Sequence, residues 1–169
     1  MKKIKRFLKL LLHSSTGTAG LIIVVVICLC AIFAGQLAPH DPNAMDLTNM
    51  TKPPVWMEGG DWNNVLGTDN LGHDILSRML YGARISLVVG ILATLMSGAA
   101  GMLLGLVSGY YGGLADHIIM RVADAFYAIP GILLALVTLM VFKSSGIVTL
   151  VLVIAAISWV QYARLIRSE

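Results

Sequence analysis

Twelve basic, nine acidic and four histidine side chains are what this 169-residue chain offers for ionic chemistry. Their spacing decides which chemistry is open. His13, His40, His73 and His117 are scattered, without cysteine partners or an H-E-x-x-H spacing, so no metal site is expected. Cys28 and Cys30 stand two apart in an apolar run; on a helix they point about 200° apart and cannot bridge. Asp69, Asn70 and Asp74 miss the spacing of a calcium loop. No G-x-x-x-x-G-K-[ST] cradle is present, and no nucleophile, base and orienting acid assemble, so neither a cofactor nor a catalytic residue is assigned and the chain reads as no enzyme. Any ATP would be bound by another subunit.

Three constellations remain. The string LGTDNLGHDILSRMLYGARISL, Leu66 to Leu87, combines glycine turns with paired charges directly before an apolar run. Gly67 and Gly72 allow backbone reversals; Asp69 is placed to cap a helix starting near Leu71 or Ile75; Asp74 and Arg78 form an i,i+4 pair, with Arg84 beyond. Ile75, Leu76, Met79 and Leu80 make an apolar face, so the segment reads as a short amphipathic helix at a membrane surface. A second constellation is Ser97, Gly101, Gly105 and Gly109, four small residues at spacings of four. Such a face lets helix backbones approach closely in lipid, and the opposite helix belongs either to this chain or to a partner. The third is His117, Arg121 and Asp124, within about 60° on a helical wheel. Two readings are open. Arg121 and Asp124 compensate each other's charge as polar lining at the inner end of a translocation path, or Arg121 snorkels to headgroups at a helix start. Pro130 removes a backbone donor and is expected to kink this helix, a hinge or gate element in the first reading.

The elements that position these residues follow from composition. The chain is 57% hydrophobic and 12% charged, with mean hydropathy +0.83, against about 25% charged for soluble domains. An all-α integral membrane protein is expected, with spans of about 20 residues. Residues 1–17 form a basic tail holding Lys2, Lys3, Lys5, Arg6 and Lys9. The first span covers 18–38; a cleaved signal peptide competes for it, but the apolar core is too long and lacks an A-x-A site. Residues 39–84 form a long polar loop in which Trp56, Trp62 and Leu66 beside Gly59-Gly60 point to a folded flap. Further spans are expected near 85–107, 118–142 and 147–166, four in all. Eight basic residues (the five in the tail plus Arg121, Arg164 and Arg167) against four (Lys52, Arg78, Arg84 and Lys143) orient the N-terminus inward and the loop outward. Basic residues clustered before a span serve orientation and form no nucleic-acid face.

LGTDNLGHDILSR, followed by YGARISLVVG and then GLVSGYYGGLADHIIMRVADAFYAIPGILLAL, resembles the permease subunits of bacterial peptide, opine and nickel ABC importers. The branch it is most similar to is that of the dipeptide permease C subunit. The likeness covers essentially the whole chain, the HDPNAMDL stretch included. One departure is His73, where the family most often has Arg. The resemblance implies a partial type-1 importer transmembrane domain over 85–169, in the bacterial inner membrane. It also implies alternating access to small peptides or related solutes, with a second permease subunit, cytoplasmic ATPase subunits and an extracytoplasmic solute-binding protein as partners. It further implies a coupling loop and two more spans after Glu169, so the chain is expected to be truncated. That keeps a second reading open: a non-transporting membrane fragment, or an interaction or assembly subunit using the glycine face.

Overall fold

Six α-helices and one 3-10 turn make up the computed structural model, which describes residues 14–142 and 146–168. The basic tail charges Lys2 to Lys9, His13 and the turn at Lys143 lie outside the described residues. Helix α1, Ser15–Ile32, begins where the Ser14 hydroxyl accepts the Gly17 N–H at 3.3 Å, satisfying one of the amide donors a helix start leaves without a partner. No charge interrupts it. Phe33 breaks the helix before a single further turn, α2, Ala34–Leu37. The first span is therefore shorter than the expected 18–38 run, and its last residues form a separate turn.

Helix α3, Ile75–Tyr111, is continuous over 37 residues, about 55 Å at 1.5 Å per residue. This corrects the expectation of a separate surface helix before residue 85. ILSRMLYGARISL contains no proline, and Ser77, Gly82 and Ser86 lie within the helix without ending it, so it continues from its start into the apolar run. Gly112 and Gly113, at φ +59° and +50°, supply the left-handed turn into α4, Gly113–Ala128, a conformation costly for any other residue. Helix α5, Gly131–Phe142, and helix α6, Ile147–Ser168, complete the chain.

The stretch expected as one kinked span over 118–142 is two helices, bent by 92° at Ile129 and Pro130. Proline lacks the N–H that would continue the ladder, and it forces its predecessor out of the helical region. Ile129 accordingly sits at φ −97°, ψ 129°. Three helices (α1, α3 and α6) are long and apolar enough to cross a membrane, and a fourth crossing is counted if the bent α4–α5 pair is one span.

Two compact units result, Met1–Leu87 and Val88–Glu169. In the second, a column of residues four apart on α3 (Val89, Ala93, Ser97, Gly101 and Gly105) is buried. The column starts with Val89 and ends with its two smallest members, Gly101 and Gly105. Val89 and Ala93 pack with Val151 of α6; further along, Gly101 faces Trp159 and Ala163, and Gly105 faces Ala163 and Ile166. Contacts advance in the same direction on both helices, so α3 and α6 run parallel. Trp159, Val160 and Ala163 also form a core cluster with Ala123 of α4, joined by Ile119 and Phe126, the Phe126 and Trp159 rings meeting edge-on at 5.9 Å. Helix α5 packs on α6 as well, Gly131 lying close to Ile157.

A Cβ added at Gly105 would lie 2.7 Å from the Ala163 carbonyl oxygen, whereas one added at Gly98 meets nothing within 4 Å. Gly105→Val should therefore destabilise the protein by about 1–3 kcal/mol through overpacking. Gly98→Ala should be neutral or gain up to about 1 kcal/mol. Thermal unfolding in mild detergent checks the pair; equal effects would contradict the packing.

Candidate functional site

Two polar constellations stand out, one in each unit. In the first unit the loop is tied to the start of α3 by two carboxylates. Asp74 is almost fully buried, at 2% exposure. Its Oδ2 accepts the Ser77 N–H at 2.8 Å and the Ser77 hydroxyl at 2.7 Å, and its Oδ1 accepts the Asn64 amide at 3.0 Å. The Ser77 hydroxyl in turn accepts the His40 N–H at 3.1 Å. One carboxylate thus caps α3 and holds the loop at residues 40 and 64. Asp74, and not Asp69, is the helix cap; an aspartate immediately before an apolar-periodic run is the signal that marks it.

Asp69 organises the turn before the helix. Its Oδ1 accepts the N–H groups of Leu71 and His73 at 2.9 and 3.0 Å, and the His73 Nδ1 lies 2.9 Å from Oδ2. The Arg78 guanidinium pairs with the same Oδ2. The expected Asp74/Arg78 pair therefore does not form: as the cap, Asp74 turns its carboxylate back to the helix amides, and Arg78 reaches across to Asp69. Arg84 is exposed and, among the described residues, has no acidic partner. The glycines are where backbones cross. Gly67 and Gly72 have φ +79° and +77°, and a Cβ on Gly72 would fall on the Asp46 carbonyl, one on Gly67 on that of Lys52. Thr68 completes the crossing: its hydroxyl accepts the Lys52 N–H at 2.9 Å and donates to the Asn49 carbonyl at 2.5 Å.

Both carboxyls lie below their ordinary value of 3.8. Desolvation alone raises each of them. For Asp69 it is outweighed by the Leu71 and His73 amides and the His73 ring; for Asp74 by Asn64 and Ser77, with His40 adding a smaller attraction.

In the second unit the charges of α4 face those of α6. Asp116 pairs with Arg167 at 2.5 Å and accepts the Ser108 hydroxyl at 2.5 Å; Asp124 pairs with Arg164 at 2.6 Å. The Arg164 guanidinium also lies over the Tyr127 ring, 4.4 Å from its centre. Arg121 and Asp124 therefore do not compensate each other. Asp124 turns to a residue forty positions away, and Arg121 is exposed with no acidic partner among the described residues. His117, Arg121 and Asp124 do share one feature: with Asp116, Met120 and Arg167 they line a cavity of about 280 Å³. Pro130 is not among its lining residues. Ser97, Gly101 and Gly105 are buried; Gly109 is exposed, though a Cβ there would still come within 3.9 Å of Arg167. Sequence reasoning missed Ser77, Asn64 and Ser108 as partners, since each bonds across a turn or between helices.

Apolar helices packed around small-residue columns and joined by charged ends define the class: a multi-pass membrane protein. Residues 4–54 match the family described as the N-terminal TM domain of oligopeptide transport permease C, and residues 101–169 match the binding-protein-dependent transport system inner membrane component. The chain belongs to this permease family. It is 44% identical over 149 residues to the dipeptide transport system permease protein DppC of Haemophilus influenzae, covering 88% of this chain and 50% of that protein. It is 38% identical over 165 residues to the di/tripeptide transport system permease protein DppC of Pseudomonas aeruginosa, covering 98% and 54%. With the oligopeptide transport system permease protein OppC of Bacillus subtilis it shares 38% over 150 residues, covering 89% and 47%. The chain spans about half the length of the curated relatives it matches.

A carboxyl whose pKa is depressed in the folded state stabilises above its unfolded value, and that contribution is lost as pH falls through the folded value. Acidification from about pH 5 to about pH 2 should therefore loosen the loop first. Hydrogen exchange at residues 64–80, taken relative to the intrinsic amide rate at each pH, should rise in that window and stay flat between about pH 5 and about pH 8. Asp74→Ala should raise it already at neutral pH, at a cost of about 1–2 kcal/mol for the lost cap. Unchanged exchange in the variant would contradict the assigned tie.

Proposed function

We propose that this chain forms part of the translocation path of an ABC-type importer for dipeptides, oligopeptides or related solutes. The single observation that carries the reading is the likeness to peptide permeases over 88% of the chain or more. In this reading an extracytoplasmic solute-binding protein delivers the solute, a second permease subunit completes the path, and cytoplasmic ATPase subunits drive alternating access. The chain lies in the bacterial inner membrane with its N-terminus cytoplasmic, supported by the eight-to-four division of basic residues. The bent α4–α5 pair counts as the third of four spans. The loop with Gly67, Asp69, Gly72, Asp74, Arg78 and Arg84 is extracytoplasmic.

The parts suited to a gate are at the cytoplasmic ends of α4 and α6. Pro130 leaves no hydrogen bond across the break, so α4 and α5 rotate about Ile129 without disrupting a helical ladder. Asp124 and Arg164 are about half exposed, and exposed pairs contribute only about 0.2–1 kcal/mol. Such clasps hold α4 on α6 at rest and give way at little cost.

Two experiments test the reading. Deleting the gene that encodes the chain should abolish accumulation of labelled dipeptide or oligopeptide, with uptake restored by the gene. Undiminished uptake of both would contradict it. For orientation, Glu58→Cys, with Cys28 and Cys30 replaced by Ser, should react with a membrane-impermeant maleimide in intact spheroplasts. Labelling only after lysis would reverse the topology.

A further inference from the structure

We propose that the cavity between α4 and α6 holds the headgroup of a singly charged anionic phospholipid. Arg121 and His117 act as its donors, and its acyl chains lie along Leu114, Ile118 and Val122. The site is independent of which solute the permease carries.

The charges of the cavity do not cancel. Of its six lining residues, Asp116 is matched by Arg167 and Asp124 by Arg164, a residue outside the lining. Arg121 remains, exposed, with no acidic side chain within 4.0 Å among the described residues. A guanidinium offers a planar fork of donors that suits a phosphate. His117, one turn earlier on the same helix, adds a second donor on the same rim.

The surface beside the cavity then selects the kind of phosphate. Helix α4 has three faces. Ile119, Ala123 and Phe126 are packed on α6. The charged residues form the second. The third, Leu114, Ile118 and Val122, is left open at 76%, 55% and 44% exposure. These three lie four residues apart, and Leu114 falls about 20° from Arg121 on the wheel. A lone cation bordered by an open apolar stripe matches an amphiphile, whereas free phosphate would use only the cation. The two carboxylates on the rim, although paired, disfavour headgroups carrying several negative charges.

The test is native mass spectrometry of the whole chain extracted from nanodiscs made of equal parts phosphatidylglycerol and phosphatidylethanolamine. Wild type should retain one phosphatidylglycerol in preference to phosphatidylethanolamine. Arg121→Gln should cut that preference about ten-fold, the scale of one charged hydrogen bond, and Arg121→Lys should keep part of it. Thermal unfolding of each variant establishes that the helices remain folded. Equal retention of the two lipids by wild type, or an Arg121→Gln variant that retains phosphatidylglycerol unchanged, would overturn the proposal. So would displacement of the lipid by millimolar inorganic phosphate, since that marks a free-anion site.

Discussion

The close approach of α3 to α6 is the contact on which the second unit depends. Lipid tails are as apolar as the helices, so burial of leucine against leucine gives no drive to associate; packing at short range must supply it. The α3 column narrows from Val89 to Gly105 and lets the backbone of α6 reach the place where side chains would stand. Trp159 and Ala163 then have α3 on one side and Ala123 of α4 on the other. A shift of α6 away from Gly101 would therefore also move Arg164 and Arg167, and with them the two ion pairs that hold α4. Packing sets the geometry, and the charges read it out.

Missing side chains also shape the loop, where polar groups replace lipid-facing packing. Backbone segments cross at Gly67 and Gly72, and the buried carboxylate of Asp74 accepts from Asn64 and Ser77, whose hydroxyl in turn accepts the His40 N–H. A buried charge that loses its donors is costly. This explains why a 36-residue polar connection from Pro39 to Asp74 holds a defined form with one 3-10 turn and an isolated Thr68–Asp74 bridge as its only regular structure among the described residues. Side-chain hydrogen bonds and glycine crossings supply the order of this loop.

What was legible in the sequence follows the range of the interaction involved. Apolar runs foretell helices, because lipid leaves backbone groups no other partner, and the runs beginning near Thr18, Ile85 and Ile147 lie on α1, α3 and α6. Charged residues close in the sequence also find partners close by: Asp69 meets His73 and Arg78, and Asp74 meets Ser77. Their pairing was not legible. The i,i+4 rule holds inside a helix, and Asp74 sits at its boundary, so Arg78 finds Asp69 instead. Asp124 likewise passes over Arg121 for Arg164, a choice that only the packing of α4 on α6 decides. Pro130 announced a kink, but a 92° break also needs Ile129 in the extended region. The small-residue face named no partner helix, since close packing is symmetric between the same chain and another.

In this structure α6 of the same chain occupies the small-residue face of α3. Leu104 borders the core cluster that contains Val160, while Leu103 is 65% exposed. With Cys28 and Cys30 replaced by Ser, cysteines at 104 and 160 should be joined within one chain by a short bifunctional thiol reagent in native membranes. Cysteines at 103 and 160 should not. Equal cross-linking of both pairs, or joining of 104 to 160 only between separate chains, would contradict the account.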